Sequence, residues 1–122
     1  MRRIMYIEEK GGEGEPRIGW VEMTRTSRSY RYGGHLFTKV SDGYKYNCVN
    51  EAGETCWISG PQRDGTDTLY GAVVAIDEDA REAYWRDIRA RPGCMDASFR
   101  SGAGTRTGAT VRLPRSGSAT RR

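Results

Sequence analysis

Side chains that could act as nucleophiles, bases or metal ligands are few in this sequence. The cysteines at positions 48, 56 and 94 have spacings that fit neither a zinc site nor a thioredoxin-type pair. The single histidine, His35, cannot complete a usual metal site, although it could pair with Cys48 or Cys56 as base and nucleophile if the fold brought them together. The sequence therefore predicts free thiols, no catalytic residue, no metal and no cofactor.

Two carboxylates, Asp64 and Asp67, lie three residues apart in a glycine-containing loop. They could hold a divalent cation, but aspartate also stabilises turns through local hydrogen bonds, and we favour that interpretation. The sequence contains no phosphate-binding glycine loop and no nucleophile elbow. A small enzyme is therefore the last of three functional alternatives.

Aromatic and basic side chains alternate along neighbouring predicted strands. Exposed rings on a sheet can stack unpaired bases while interleaved cations contact phosphates, as in single-strand binders built on small barrels. Leu, Ile and Val are scarce, so part of this aromatic set is needed for the core. The candidate nucleic-acid-binding residues are Tyr30, Arg31, Tyr32, Phe37, Lys39, Tyr44, Lys45, Tyr46 and Trp57.

The positive charge is concentrated near the C-terminus. The net charge is +4, with 20 basic and 16 acidic side chains; residues 1–91 contribute 14 basic and 15 acidic (−1), and residues 92–122 contribute six arginines and one aspartate (+5). The last segment is rich in Gly, Ser, Thr and Ala, so we predict a disordered basic tail over 92–122 after a single domain at 1–91. Such a tail would contact polyanions without sequence preference.

Short β-strands should build the body of the domain. Met1–Glu9 and Arg17–Thr24 read as strands, the second with period-2 alternation. Gly33 and Gly34 predict a two-residue hairpin turn in which Tyr30 faces Phe37 and Tyr32 faces His35. Two further short strands are expected on either side of Gly71, over residues 68–76.

A second hairpin is predicted with a four-residue turn over residues 50–53. If Val49 pairs with Glu54, then Tyr46 meets Trp57, and Cys48 and Cys56 point to opposite faces. Opposed side chains cannot form a disulfide, although a shift of one residue would reverse this conclusion.

One helix should follow the strands, from Glu78 to about residue 90. Asp77 is the predicted N-cap, and Ala80, Tyr84 and Ile88 recur at helical spacing as the stripe that packs on the sheet. The predicted fold is mainly β (α+β): a small antiparallel curled sheet, or a Src-homology-type barrel of about six strands, with one C-terminal helix. No apolar run approaches the roughly 20 residues that span a bilayer, so we expect a cytoplasmic protein with no membrane partner.

Four segments resemble a family of short, uncharacterised bacterial proteins. They are residues 1–8, 52–61, 69–71 and 76–85, which read MRRIMYIE, AGETCWISGP, LYG and IDEDAREAYW. Members of this family carry the label 1-deoxy-D-xylulose-5-phosphate synthase, but that activity needs a Gly-Asp-Gly motif, and neither Asp42-Gly43 nor Asp64-Gly65 has the preceding glycine. The resemblance implies a bacterial, intracellular domain over residues 1–91 and carries over no catalytic residue.

The sequence thus favours a non-enzymatic binding module. RNA, single-stranded DNA or a ribonucleoprotein would be its partner, bound through an aromatic sheet face and the arginine-rich tail. The alternative is a protein-interaction or accessory subunit with a protein partner. The two differ in salt dependence, since only nucleic-acid binding should weaken steeply as the salt concentration rises.

Overall fold

Six consecutive strands close into an antiparallel barrel. The computed structural model describes residues 1–10, 15–26, 28–40, 46–68 and 71–102. Each strand pairs with the next along the chain, and the sixth returns to pair with the first. The strands are β1 (Arg2–Glu9), β2 (Arg17–Met23), β3 (Ser29–Tyr32), β4 (His35–Lys39), β5 (Cys48–Val49) and β6 (Thr55–Ser59). The prediction of a small β-barrel is confirmed.

Alternation along the strands divides the core into two parts. Residues pointing inward fill the barrel with the cluster Met5, Ile7, Val21, Tyr30, Phe37, Cys48, Cys56 and Ile58. Residues pointing outward on β1, β2 and β6 belong to a second cluster, which includes Tyr6, Ile18 and Trp57. The period-2 pattern of β2 therefore reflects a strand that is buried on both faces.

The C-terminal elements cover that outer face. Strand β7 (Val73–Ile76) pairs in parallel with the start of β2, and β8 (Ser98–Arg100) pairs antiparallel with β7. Between them lies a helical segment made of a 3₁₀ turn (Glu78–Ala80), an α turn (Arg81–Ala83) and a π turn (Tyr84–Ile88). The expected stripe is present, because Ala80 and Tyr84 are fully buried and Ile88 packs against them.

The first hairpin has the register that its turn predicted. Tyr30 lies opposite Phe37 and Tyr32 opposite His35. Gly33 and Gly34 have φ values of 59° and 82°, which side chains with a Cβ rarely adopt. The two-residue loop therefore fixed the pairing of β3 and β4.

The register predicted for the second hairpin is wrong by one residue. Val49 pairs with Thr55, and Cys48 lies directly opposite Cys56 on the inner face. The cause is Asn50, whose Oδ1 accepts hydrogen bonds from the backbone N–H groups of Ala52 (3.0 Å) and Glu54 (2.9 Å). Its own backbone N–H donates to the Glu54 carbonyl, so Asn50 closes a three-residue loop instead of belonging to the turn.

Asp77 does not cap the helical segment with its side chain. Its Oδ1 accepts a hydrogen bond from Arg17 Nε (2.8 Å), and its Oδ2 accepts one from the hydroxyl of Tyr32 (2.6 Å). These partners are 60 and 45 residues away in sequence, so local propensity could not reveal them. The carboxylate instead links the entry of the helical segment to the barrel.

The folded part of the chain extends beyond Arg91, where the sequence placed the end of the domain. Strand β8 pairs with β7, Phe99 packs in the outer cluster, and the Ser101 side chain is buried. The predicted disordered tail therefore does not begin at residue 92. Residues 103–122 lie outside the described residues, as do Leu69 and Tyr70 of the strand predicted before Gly71.

Candidate nucleic-acid interface

The aromatic candidates lie on both sides of the barrel wall. Tyr30 and Phe37 point inward and are only 7% and 1% exposed. Trp57 points outward but is 9% exposed, because it belongs to the cluster covered by the C-terminal elements. These three side chains form core rather than one accessible face, so none of them presents a ring on which a base could stack.

Tyr32 is only partly exposed and is held by hydrogen bonding. Its hydroxyl donates to Asp77, and burial, together with this hydrogen bond, raises the pKa of Tyr32 well above its ordinary value. The ring also lies over Gly19, where a Cβ would come within 2.7 Å of Tyr32 Cε1. Tyr32 therefore serves to position Asp77.

The remaining described candidates are accessible. Arg31 and Lys39 are exposed, and Tyr46, with 37% exposure, is the most accessible of the described predicted rings. Lys39 lies over the ring of Tyr30, with its Nζ 4.9 Å from the centroid. Two further candidates, Tyr44 and Lys45, lie outside the described residues.

Cationic side chains gather at one rim of the barrel. Antiparallel pairing puts the start of β1, the end of β2, the start of β3 and the end of β4 at the same rim. We call this rim the arginine end; its cations are Arg2, Arg3, Arg25, Arg28, Arg31 and Lys39. Among the described residues, Glu22 is the only carboxylate placed with them.

Most of these cations have no anionic partner among the residues that the structure describes. Arg3, Arg25, Arg28 and Arg31 are exposed, and none of them is in an ion pair within the described part of the chain. The guanidinium of Arg2 instead lies over the indole of Trp20, 4.5 Å from the ring centroid. Unpaired guanidinium groups are free to make bidentate hydrogen bonds to phosphate oxygens.

A groove opens on the arginine end. It has a volume of about 390 Å³ and is lined by Met1, Glu22, Met23, Thr24, Arg25 and Arg31. The backbone N–H of Met23 donates to the carbonyl of Met1 (2.8 Å), which holds the chain start beside the end of β2. Two guanidinium groups and one carboxylate therefore share a single concave surface.

The opposite rim, which we call the acidic end, carries the reverse charge. Among the described residues, its carboxylates include Glu8, Glu9, Glu51, Glu54 and Asp77, and its basic side chains include Lys10, Arg17 and His35. Lys10 pairs with Glu8, and Arg17 with Asp77. The barrel is thus electrostatically polarised along its axis, although residues 1–91 are nearly neutral overall.

The groups that could have performed covalent chemistry are occupied or buried. His35 Nδ1 lies 2.9 Å from Glu51 Oε1, and this contact lowers the pKa of Glu51. The thiol of Cys56 contacts that of Cys48 inside the barrel, and this contact and burial raise its pKa, so the thiolate is disfavoured. The geometry therefore offers no activated nucleophile among His35, Cys48 and Cys56.

The two loop aspartates have separate roles. Asp64 Oδ1 accepts hydrogen bonds from the backbone N–H (3.2 Å) and hydroxyl (2.6 Å) of Thr66, which confirms its role in stabilising the turn. Asp67 is 7% exposed; its Oδ1 accepts a hydrogen bond from the Gln62 N–H, and its Oδ2 has no partner in the described structure. Within those described residues, no cluster of three or more potential metal-ligating side chains occurs.

Comparison with known proteins supplies no relative for this chain. No family model, curated protein or solved structure matches it. The resemblance noted from the sequence therefore stays a prediction. No helix in the described part of the chain is long and apolar enough to cross a membrane.

Proposed function

We propose that this chain is a non-enzymatic module that binds single-stranded nucleic acid at its arginine end. The observation that carries the proposal is the set of exposed arginines at one rim of the barrel that have no ion-pair partner among the described residues. Cations gathered at one rim of a closed barrel give phosphates a common surface, and their contacts release counterions from the nucleic acid.

A single strand suits this surface better than a duplex. Tyr46 is close to the same rim, because the Asn47 carbonyl accepts a hydrogen bond from the backbone N–H of Val40, next to Lys39. Its exposed ring can stack on an unpaired base, which in a duplex would be covered by its neighbours. The proposal therefore keeps the class of partner predicted from the sequence but moves the binding surface from a sheet face to a barrel rim.

The proposal is tested by replacing two arginines of the groove. The double variant Arg25→Gln/Arg31→Gln should bind single-stranded RNA and DNA oligonucleotides more weakly, as measured by fluorescence anisotropy between about 50 and 200 mM salt. Each lost phosphate contact should reduce the slope of log K against log salt by about 0.7. The matched control is Arg63→Gln/Arg86→Gln, which removes the same charge from exposed positions outside the arginine end.

Three results would overturn the proposal. They are no binding by the wild-type chain, equal loss of affinity in both double variants, and binding that does not depend on salt. Salt-independent binding of a protein partner would favour the accessory-subunit alternative instead.

The arginines after residue 102 should add affinity for phosphates. Truncation after Gly102 removes Arg106, Arg112, Arg115, Arg121 and Arg122 and keeps β8. We expect weaker binding and a smaller salt dependence. Truncation after Arg91 should in addition lower the thermal midpoint, since it deletes β8 and Phe99.

A further inference from the structure

Glu22 is an exception at the arginine end. The pairing of β1, β2 and β3 places it in register between Arg2 and Arg31. Despite these neighbours it has no hydrogen-bond or ion-pair partner within the described residues, and Arg2 lies over Trp20. An exposed carboxylate at this position weakens the general attraction for phosphates. If Glu22 contributes to binding, it must therefore contact a part of the nucleotide other than the phosphate.

The groove that contains Glu22 combines three kinds of group. Arg25 and Arg31 provide cations, Met1 and Met23 provide flexible thioether side chains, and Glu22 provides two acceptor oxygens. Its volume of about 390 Å³ lies within the range of about 300 to 1,000 Å³ that is usual for small-ligand sites. A nucleotide has matching parts: an anionic phosphate, a flat base that packs against apolar side chains, and a polar base edge.

A carboxylate accepts hydrogen bonds and donates none, so it distinguishes bases by their donors. Guanine carries two adjacent donors on its Watson–Crick edge, the ring N1–H and the exocyclic amino group, which match the two oxygens of one carboxylate. We infer that the groove takes one unpaired guanine nucleotide, with its phosphate on Arg25 and Arg31 and its Watson–Crick edge on Glu22. This inference rests on the proposed function and adds the identity of the base.

The test compares three oligonucleotides that differ at one position. Uridine-rich RNAs carrying a single central guanine, inosine or adenine are titrated by fluorescence anisotropy at fixed salt. Inosine lacks only the amino group of guanine, so loss of the bidentate contact should weaken binding about tenfold. Adenine should bind no better than inosine.

The variant Glu22→Gln separates base recognition from electrostatic attraction. Removing the negative charge should raise the affinity for the inosine and adenine RNAs, whereas the guanine RNA also loses its bidentate contact, so the preference for guanine over inosine disappears. A variant that merely damaged the fold would weaken binding to all three, and its thermal midpoint identifies that case. The matched control is Glu78→Gln, which removes an exposed carboxylate that does not line the groove and should leave the preference for guanine unchanged.

The outcomes distinguish the guanine site from the proposed function on which it rests. Salt-dependent binding with equal affinity for the three RNAs would overturn the guanine site and leave the proposed function standing. A guanine preference that survives Glu22→Gln would also overturn it, because the recognition would then lie elsewhere. Failure to bind any of the three at low salt would overturn both proposals.

Discussion

Replacing Asp67 with asparagine should stabilise the fold at neutral pH and have little effect near pH 4. Asp67 is 7% exposed, and burial is the main reason that its pKa is raised from 3.8 to about 6. The Gln62 N–H and the positive charge of Arg89 act in the opposite direction without cancelling the effect. Its Oδ2 is buried without a hydrogen-bond partner in the described structure, which agrees with a disfavoured negative charge.

The size of the effect follows from the two pKa values. The folded state holds the proton more tightly than the unfolded state, so the contribution to stability is fully present below pH 3.8 and is lost as pH rises to about 6. Each pH unit in that window costs at most about 1.4 kcal/mol, so ionisation of Asp67 costs on the order of 3 kcal/mol at pH 7. In a domain of this size that corresponds to a shift of roughly 10 °C or more in the thermal midpoint.

The variant Asp67→Asn keeps an oxygen that can accept the Gln62 N–H and removes the ionisable group. Urea unfolding of wild type and variant at several pH values, at constant ionic strength, gives the difference in free energy of unfolding. This difference should move in favour of the variant by on the order of 3 kcal/mol between about pH 4 and pH 7. The exposed Asp96→Asn change, which makes the same substitution at the protein surface, is measured beside it as the control.

The reasoning is refuted if the free-energy difference between wild type and Asp67→Asn does not change across that pH window. A constant offset would reflect the altered hydrogen bonding of the amide rather than ionisation. A change in favour of the wild type would mean that the attraction of Arg89 outweighs burial.

Three further predictions concern packing and the second hairpin. Gly19→Ala should destabilise the fold by about 1 to 3 kcal/mol in urea unfolding, because its Cβ would overlap the Asp77 carboxylate. The control Gly60→Ala has open space around it and should change the free energy of unfolding by less than about 0.5 kcal/mol. Asn50→Ala should cost about 1 to 3 kcal/mol by leaving turn N–H groups unpaired, and no loss would disprove its role in setting the register. A thiol reagent should modify only Cys94 in the native chain and all three cysteines after unfolding; native reaction of either barrel cysteine, followed by mass spectrometry, would contradict the fold.

Local signals in the sequence predicted the parts of the fold that depend on neighbouring residues. The register of β3 and β4 followed from two adjacent glycines, and the buried stripe of the helical segment followed from its spacing. The pairing of β5 with β6 was missed because the side chain of Asn50 competes with the backbone for the turn N–H groups. The role of Asp77 was missed because its partners come from distant strands.

The candidate site depends on which strand ends the charged residues lie beside, and the amino-acid composition does not reveal this. In an up-and-down barrel, charges that are far apart in sequence meet when the strand ends beside them lie at the same rim. Arg3 lies at the start of β1, Arg25 and Arg28 follow β2, and Lys39 ends β4. The acidic side chains lie at the other ends of the strands. The net charge of residues 1–91 is therefore close to zero, but the separation of charge between the two rims leaves an electric field along the barrel axis. Inward- and outward-facing side chains alternate along β3 and β4, and Tyr30 and Phe37 face inward because a closed barrel must fill its interior. They are therefore not available for the aromatic face predicted from the sequence. Barrel closure thus determines both which rings are inaccessible and which cations are gathered, and the functional proposal rests on the second of these effects.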